Sequence, residues 1–148
     1  MPMKESSSIS SKREIKAPIV REDLDQAGEN LHKILKESIS DFPGSEISVS
    51  IDMVTVKIDS VQLAKICEFL KYTEKFGFDY LSCITVVDYE KDQEIFEMIY
   101  HLISIRLHHK MAIKVPLPSN DPTVPSVLGV WKSADWFERE AHDLFGIK

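Results

Sequence analysis

The sequence contains few cysteines and glycines, and this scarcity excludes several kinds of site. Two cysteines, Cys67 and Cys83, cannot supply the roughly four thiolate ligands that an iron–sulfur cluster needs. The five glycines are scattered and form neither GxGxxG nor a P-loop. The motifs HExxH, CxxC and GxSxG are also missing. The chain therefore carries no sequence motif for a flavin, nucleotide, cluster or metal.

Long apolar runs and an excess of positive charge are missing as well. No run approaches the roughly 20 apolar residues that span a bilayer, so we expect no direct membrane insertion. The N-terminus has no hydrophobic segment of the secretory type. The formal net charge of −6 argues against a nucleic-acid partner. Cys67 and Cys83 lie in apolar periodic runs, which predicts two buried free thiols and a reducing compartment.

The 148 residues with 43% hydrophobic content are sufficient for one domain with a sizeable core. Residues 1–20 are rich in serine and lysine and predict a flexible N-terminal tail. Residues 21–148 predict a single domain. It begins with a helix from about Glu22 to the break at Pro43-Gly44, with apolar residues at helical spacing. These residues are Leu24, Ala27, Leu31, Ile34, Leu35 and Ile39.

A second helix is predicted between two groups of strands. Asp59 and Gln62 have the spacing of a capping box, and Gly77 is placed to end the helix. Its apolar face comprises Leu63, Ile66, Cys67 and Leu70.

Alternating apolar residues predict five strands. In two short segments the apolar residues occupy odd positions before Asp52-Met53 and even positions after it. This change predicts two short strands joined by a tight turn there. Three longer strands follow as YLSCITVVDY, EIFEMIYHLISI and HHKMAIKVPLP. His108-His109 is interpreted as a solvated hairpin turn, because adjacent strand residues point to opposite faces and do not converge on one metal.

The order of elements predicts the fold class. Four prolines, at positions 116, 118, 122 and 125, predict an irregular segment after the last strand. Hairpin strands beside separate helices predict an α+β domain. Its sheet is mixed and mostly antiparallel, with about five strands. Two helices from the N-terminal half and one C-terminal helix pack on it.

The C-terminal helix is predicted from Ala134 to Phe145, with Ser133 as its N-cap and Gly146 at its end. At 100° per residue, its residues divide into two faces with Glu138 at their border. The predicted core face contains Leu144, Phe137, Ala141, Ala134 and Phe145, and the opposite face contains Arg139, Asp143, Trp136 and Glu140.

Three interpretations of this charged helix compete. It is a solvated face on which Arg139 pairs with Asp135 and Asp143, a docking surface, or an active site. An active site would use Glu138, His142 and Asp143 in a small free-standing enzyme, but such a site needs more convergent groups. Trp136 lies in the middle of the polar face, and tryptophan with arginine is enriched at protein–protein interfaces. The helix therefore favours docking.

Several motifs stand in a fixed order from Asp79 onward. The strand LSCITVVDY is followed by FEMIYHLISI, then by VPSVLGVWKSADWFERE, and then by EREAHDLFGI at 138–147. The last motif is a Glu-Arg-Glu triplet, two variable residues, Asp, two apolar residues and Gly-Ile. This combination resembles the 30-kDa subunit family of respiratory complex I. That family includes related subunits of complex I-like dehydrogenases and membrane-bound hydrogenases.

The resemblance implies a non-catalytic, cofactor-free scaffold subunit in the hydrophilic arm of an ion-translocating NADH-quinone-type oxidoreductase. Its implied partners are the 49-kDa subunit, which is similar to the hydrogenase large subunit, and neighbouring iron–sulfur subunits. These partners would carry the clusters and the flavin or nickel site. The resemblance implies a peripheral position on the cytoplasmic side of the cell membrane. The residues expected to organise the last helix and its partner contact are Trp136, Glu138, Arg139, Glu140, Asp143, Leu144, Phe145 and Gly146.

The family usually continues beyond the Gly-Ile pair, whereas this sequence stops at Lys148. Short relatives occur in membrane-bound [NiFe] hydrogenases and in complexes that take electrons from ferredoxin or a reduced deazaflavin. The resemblance therefore leaves those complexes as alternatives.

Overall fold

The chain alternates helices and strands in an order that can be followed from residue 24 onward. A computed structural model describes residues 24–50 and 52–148. Among these residues there are five strands and four α-helices, and single 3₁₀ turns at Ile39–Asp41 and Ser60–Gln62. The elements in chain order are α1 (Gln26–Ser38), β1 (Glu46–Ser50), β2 (Met53–Lys57), α2 (Leu63–Tyr72), β3 (Tyr80–Asp88), α3 (Glu90–Gln93), β4 (Ile95–Ser104), β5 (His109–Pro118) and α4 (Ala134–Phe145).

The five strands form one mixed sheet in the order β1-β2-β5-β4-β3. Neighbouring strands are antiparallel except β2 and β5, which are parallel. A parallel pair needs a long crossover connection, and α2, β3 and β4 provide it here. This confirms the predicted α+β class with a mostly antiparallel sheet.

One face of the sheet holds the core together with α1, α2 and α4. On β4 and β5 the residues of this face are opposite each other in the hairpin and are fully buried: Met98, Tyr100, Leu102, Met111, Ile113 and Val115. From the helices, the core receives Leu31, Leu35, Leu63, Ile66, Cys67, Leu70, Ala134 and Ala141. The predicted apolar faces of the first two helices are thereby confirmed at their central positions. Fully burying one such aliphatic side chain contributes about 1.5–3 kcal/mol.

The start of α1 and the first hairpin differ slightly from the sequence prediction. The N-cap of α1 is Asp25, whose Oδ1 accepts a hydrogen bond from the Gly28 N–H at 2.7 Å. The predicted tail at residues 1–20 and the predicted start at Glu22 lie outside the described residues. Met53 belongs to β2 and pairs with Ser50, so the turn comes one residue earlier than predicted.

The predicted capping of α2 is wrong at both ends. Asp59 makes no side-chain cap, and the Gln62 amide instead donates to the Pro43 carbonyl at 2.9 Å. A 3₁₀ turn therefore leads into the helix. At the other end α2 stops at Tyr72, and Gly77 lies in the following loop with a φ of +52°. There its N–H donates to the Thr73 carbonyl at 2.9 Å.

Pro116 and Pro118 lie within β5 rather than in the loop that follows. The Lys114 carbonyl accepts a hydrogen bond from the Ile58 N–H. Backbone groups alternate in direction along a strand, so those at positions 116 and 118 point to the same side as those of Lys114, the side on which β2 lies. The pairing with β2 ends at Lys57, opposite Lys114. The two prolines therefore replace N–H groups that have no strand to pair with, which is where a strand tolerates proline.

His109 is buried, which corrects its interpretation as part of a solvated turn. Its Nε2 lies 2.6 Å from the Phe76 carbonyl, which only accepts, so Nε2 carries the proton. Burial lowers the pKa of His109; the hydrogen bond to the Phe76 carbonyl opposes this shift, and the nearby Arg106 adds to it. His108 is exposed, with a φ of +54°. No group of three or more potential metal ligands occurs among the described residues.

Of the two cysteines, only Cys67 fits the prediction of a buried thiol. Cys83 is partly exposed; on β3 it pairs with His101. His101 lies on the opposite face of the sheet from the buried Met98, Tyr100 and Leu102.

Candidate functional site

Helix α4 occupies the range that the sequence predicts, Ala134–Phe145, but only one of its predicted caps is present. Gly146 has the left-handed conformation, with a φ of +69°, and its N–H donates to the His142 carbonyl at 2.9 Å. This confirms the predicted C-terminal end. Ser133 makes no cap; its hydroxyl donates to the Leu81 carbonyl on β3 at 3.2 Å. The serine thus attaches the start of the helix to the sheet.

The inner side of α4 packs beside β3. Ala134 and Ala141 are buried, and the Phe145 ring meets Phe96 edge-on with 5.8 Å between ring centroids. Leu144 was predicted to lie on this core face but is 68% exposed. Because β3 is an edge strand, no further strand in the part of the chain that the structure describes lies beyond it to cover Leu144.

Glu138 occupies the place on the inner side where an apolar residue would be expected. Its carboxylate accepts hydrogen bonds from the Ser126 hydroxyl at 2.6 Å and from the Val127 N–H at 2.7 Å. The side chain of Val127 is fully buried. Charge-assisted bonds of this kind are stronger than neutral ones. The first carboxylate of the Glu-Arg-Glu triplet therefore braces the loop that precedes the helix.

The negative charge of Glu138 also affects the pKa values of two groups in the core. Burial is the main reason that the pKa of the Cys67 thiol and that of the Tyr100 hydroxyl are strongly raised. The carboxylate of Glu138 adds to the upward shift of both pKa values. Both groups are consequently neutral at physiological pH and serve as packing residues.

The loop between β5 and α4 is held at several further points. Trp131 is 4% exposed, and its Nε1–H donates to the Phe78 carbonyl at 3.0 Å. The Lys71 ammonium donates to the Val130 carbonyl. At the C-terminus, the Lys148 N–H donates to the Pro122 carbonyl at 2.8 Å. These three hydrogen bonds, each to a different segment, therefore give this loop a defined shape despite its lack of regular structure.

The outer side of α4 presents large side chains to solvent. Trp136 is 74% exposed, and the Arg139 guanidinium lies 5.8 Å from the centre of its ring. Arg139 pairs with Asp135 at 3.3 Å. No pair with Asp143 is found among the described residues, although the sequence predicted both. Glu140 and Asp143 are exposed. We call Trp136, Arg139, Glu140, Asp143 and Leu144 the outer face of α4.

The structure does not bring together the residues of the alternative active site. Glu138 is engaged by Ser126 and Val127, whereas His142 Nδ1 lies 2.9 Å from the Ile147 carbonyl. Because that carbonyl only accepts, Nδ1 of His142 carries a proton. Asp143 is exposed on the outer face. Glu138 and His142 thus bind different parts of their own chain, and no hydrogen bond between them is found in the described part of the structure.

Sequence reasoning missed the residues that hold the helix in place. Ser126, Leu81 and Phe78 contribute a hydroxyl or a carbonyl to bonds with Glu138, Ser133 and Trp131. Two of these bonds join residues more than fifty positions apart, and the third joins residues twelve apart. Local spacing carries no signal for such pairs. The one available hint was Glu138 at the border of the apolar face.

Residues 56–148 match the family described as the 30 kDa subunit of respiratory-chain NADH dehydrogenase. The C subunit of NADH-quinone oxidoreductase from Moorella thermoacetica is 39% identical over 107 residues, covering 72% of this chain and 70% of the relative. The subunit of the same name from Coxiella burnetii strain RSA 493 is 32% identical over 147 residues, covering 76% of this chain and 65% of the relative. The chain thus spans about two thirds of the length of these curated relatives.

Solved structures share the fold. The trypsin-resistant fragment of Nqo5 superposes with a TM-score of 0.66 at 28% identity, covering 80% of this chain and 93% of the fragment. One polypeptide of the membrane-bound sulfane sulfur reductase, an archaeal respiratory membrane complex, gives a TM-score of 0.67 at 24% identity, covering 78% of this chain and 68% of that polypeptide. The second likeness shows the fold alone. In the described part of this chain, no helix is both long and apolar enough to cross a membrane.

Proposed function

Because the chain belongs to the family of the 30 kDa subunit of respiratory-chain NADH dehydrogenase, we propose that it is a subunit of an NADH-quinone oxidoreductase of the complex I type. Its proposed role is that of a scaffold without catalytic residues or cofactors of its own. It packs on the 49-kDa subunit beside the iron–sulfur subunits, in the peripheral arm on the cytoplasmic side of the membrane. The curated relatives, which are named as the C subunit of NADH-quinone oxidoreductase, support this assignment.

The observation that carries the scaffold role is the outer face of α4. A tryptophan that is 74% exposed beside an arginine has few contacts within its own domain. The same pair of residue types dominates the binding energy of many interfaces when it becomes desolvated. Glu138 and Gly146 hold the helix internally, so the outer face is presented by a rigid element. A rigid, amphipathic surface is suited to a permanent contact between subunits.

The separation of Glu138, His142 and Asp143 favours the scaffold over a small free-standing enzyme. A general acid–base pair must lie within hydrogen-bond reach of a common reacting group. Here the glutamate and the histidine bind different parts of their own chain. An enzyme would be active as an isolated polypeptide, whereas a scaffold would be inert alone.

The experiment that tests the proposal is native purification through an affinity tag on this protein. We expect cluster-bearing subunits to co-purify. A flavin–nucleotide module among them identifies NADH as the electron donor. A nickel site would instead identify the equivalent subunit of a membrane-bound [NiFe] hydrogenase, and a deazaflavin- or ferredoxin-binding subunit the corresponding dehydrogenase. Purification of an active, monodisperse protein without partners would contradict the scaffold role.

A substitution on the outer face separates assembly from catalysis. Arg139→Ala should lower the abundance of the assembled complex more than the turnover per assembled complex, because the arginine contacts a partner and no substrate. The control is Lys33→Ala, which removes an exposed cation from α1. Normal assembly with lost turnover would show a catalytic rather than structural role.

The environment of Trp136 gives an independent readout. In the isolated subunit its emission should be red-shifted and accessible to a soluble quencher, because the ring is exposed. In the complex, the emission should shift to the blue and become protected. Taking the difference between wild type and Trp136→Phe removes the contribution of the buried Trp131. Emission from Trp136 that stays quenchable in the assembled complex would place the outer face away from the interface.

A further inference from the structure

A second surface lies at the other end of the loop that leads into α4. It is an open groove of about 580 Å³ between the end of α2, the start of β3 and the loop at 128–133. Its walls include Lys71, Tyr80, Leu128, Gly129 and Lys132. We call it the 128–132 groove. It differs from the outer face of α4, none of whose residues line it.

The groove has a floor with a fixed shape. Trp131 and Val130 are buried beneath it, and the indole N–H is bonded to the Phe78 carbonyl at 3.0 Å. The Lys71 ammonium is bonded to the Val130 carbonyl across the groove. A ligand would therefore meet a preformed surface and would not have to order a loose loop.

The rim is apolar but remains uncovered. Tyr80 is 47% exposed and Leu128 is 44% exposed. These side chains offer contacts to an aliphatic or aromatic group of a partner. Tyrosine is enriched at interfaces because it combines a large apolar ring with a polar tip.

The lysine side chains of the groove favour an acidic partner. Neither Lys71 nor Lys132 lies within ion-pair distance of a carboxylate among the described residues, although the whole chain carries a net charge of −6. The one carboxylate in the wall, Asp79, accepts a hydrogen bond from the Ile105 N–H at 3.1 Å. A carboxylate of a partner would complement the two ammonium groups.

Gly129 leaves part of this surface open to close approach. Its backbone is not in the left-handed region, and a Cβ added to it would have no atom of the described residues within 4 Å. Neither conformation nor crowding within this chain therefore requires glycine at the position. Because Gly129 carries no side chain, the backbone of another protein can approach this surface closely.

From these features we infer that the 128–132 groove docks an acidic segment of a neighbouring subunit. An apolar side chain of that segment packs between Tyr80 and Leu128, and its backbone crosses Gly129. A carboxylate of the segment pairs with Lys132. The inference rests on the proposed function, since it requires the protein to be part of a complex. It adds a second contact site and specifies the chemistry of the partner.

The test is zero-length carbodiimide cross-linking of the purified native complex, followed by mass spectrometry. This reagent joins a lysine amine only to a carboxylate in direct contact. We expect Lys132 to be joined to an Asp or Glu of a neighbouring subunit, and the exposed Lys33 of α1 not to be. Cross-links of Lys132 only within its own chain, or to a second copy of the protein, would overturn the proposal. If no other subunit co-purified, the proposed function would itself have failed.

A steric variant provides the second measurement. Gly129→Trp should leave the thermal midpoint of the isolated subunit unchanged, because the position faces open space. The same variant should retain neighbouring subunits at least tenfold less well during native purification. Val61→Trp, at an exposed site on the turn before α2, is the matched control and should retain them normally. Normal retention by Gly129→Trp would overturn the proposal and leave the scaffold role intact.

Discussion

The two sides of α4 carry similar residues in different environments: those on the inner side are bonded within the domain, and those on the outer side are exposed. On the inner side, Glu138 binds Ser126 and Val127 and is held by its own chain. On the outer side, Glu140 and Arg139 belong to the same triplet but face solvent. The same contrast separates Trp131, which is 4% exposed, from Trp136, which is 74% exposed. The helix therefore divides a compact sequence motif into a part that builds the domain and a part that remains exposed at its surface.

The physical reason for this division is the helical period. Residues three and four apart share a face, whereas adjacent residues are separated by 100°. Glu138 therefore shares a face with Ala141, which is buried. Arg139 shares a face with Asp135 and lies over Trp136. Substitutions at neighbouring positions should consequently have very different effects on the isolated subunit.

The largest difference is expected between the two tryptophans. Trp131→Ala should lower the free energy of unfolding by about 3–5 kcal/mol, because it leaves a cavity and removes the bond to Phe78. Trp136→Ala should change it by no more than about 0.5 kcal/mol, because its ring is exposed. Urea denaturation of the isolated subunit measures both. Comparable losses in the two variants would show that the outer face belongs to the domain's own core.

The two glutamates of the triplet should differ by a smaller amount. Glu138→Ala should cost about 2 kcal/mol, because it leaves the Val127 N–H without its acceptor and releases the loop. Glu140→Ala should cost no more than about 0.5 kcal/mol. Glu138→Gln keeps an acceptor for Val127 and should lose less than the alanine variant. An equal response at positions 138 and 140 in urea denaturation would refute the bracing role.

Burial also separates His109 from its exposed neighbour His108. Burial lowers the pKa of His109, so the folded protein binds fewer protons than the unfolded chain below the ordinary histidine pKa of about 6.5. Stability should therefore fall as pH decreases through that value, until the lowered folded-state pKa is reached. The slope of unfolding free energy against pH should be smaller in His109→Gln.

Two further variants complete the pH measurement. His101 also has a pKa lowered by burial, so His101→Gln should remove part of the remaining slope. His108→Asn, in the same turn as His109, controls for altered turn conformation. A slope in His109→Gln equal to that of wild type between pH 7 and 5 would show that the buried imidazole is not responsible.

The smallest effect is expected from the ion pair on the outer face. Arg139→Ala should lower the stability of the isolated subunit by only a few tenths of a kcal/mol, because Arg139 and Asp135 are both exposed. The difference should vanish at high salt, where exposed pairs are screened. A loss above about 1 kcal/mol would mean that Arg139 stabilises its own domain, and would weaken its assignment to the interface.

The mixture of correct and wrong predictions follows from the range of the interactions involved. The periods of apolar residues predicted α4 from Ala134 to Phe145 and the three long strands, because burial repeats with the period of each element. The caps at Gln62 and Ser133 were wrong, because both side chains bond to carbonyls far away in the chain, on Pro43 and Leu81. A polar side chain can form hydrogen bonds with any group that the fold brings near it, whatever the distance along the sequence.

By itself, the sequence determined the class of the fold, the position of most helices and strands, and the resemblance that the family match confirms. These features depend on local periodicity and on ordered motifs, which are properties of the linear sequence. Only the tertiary structure decided that Glu138 turns inward, that Leu144 remains exposed at the sheet edge, and that Gly129 lies in open space. Each of these depends on which distant segment lies beside the residue, and that is set by the packing of α4 and its preceding loop on the edge strand β3.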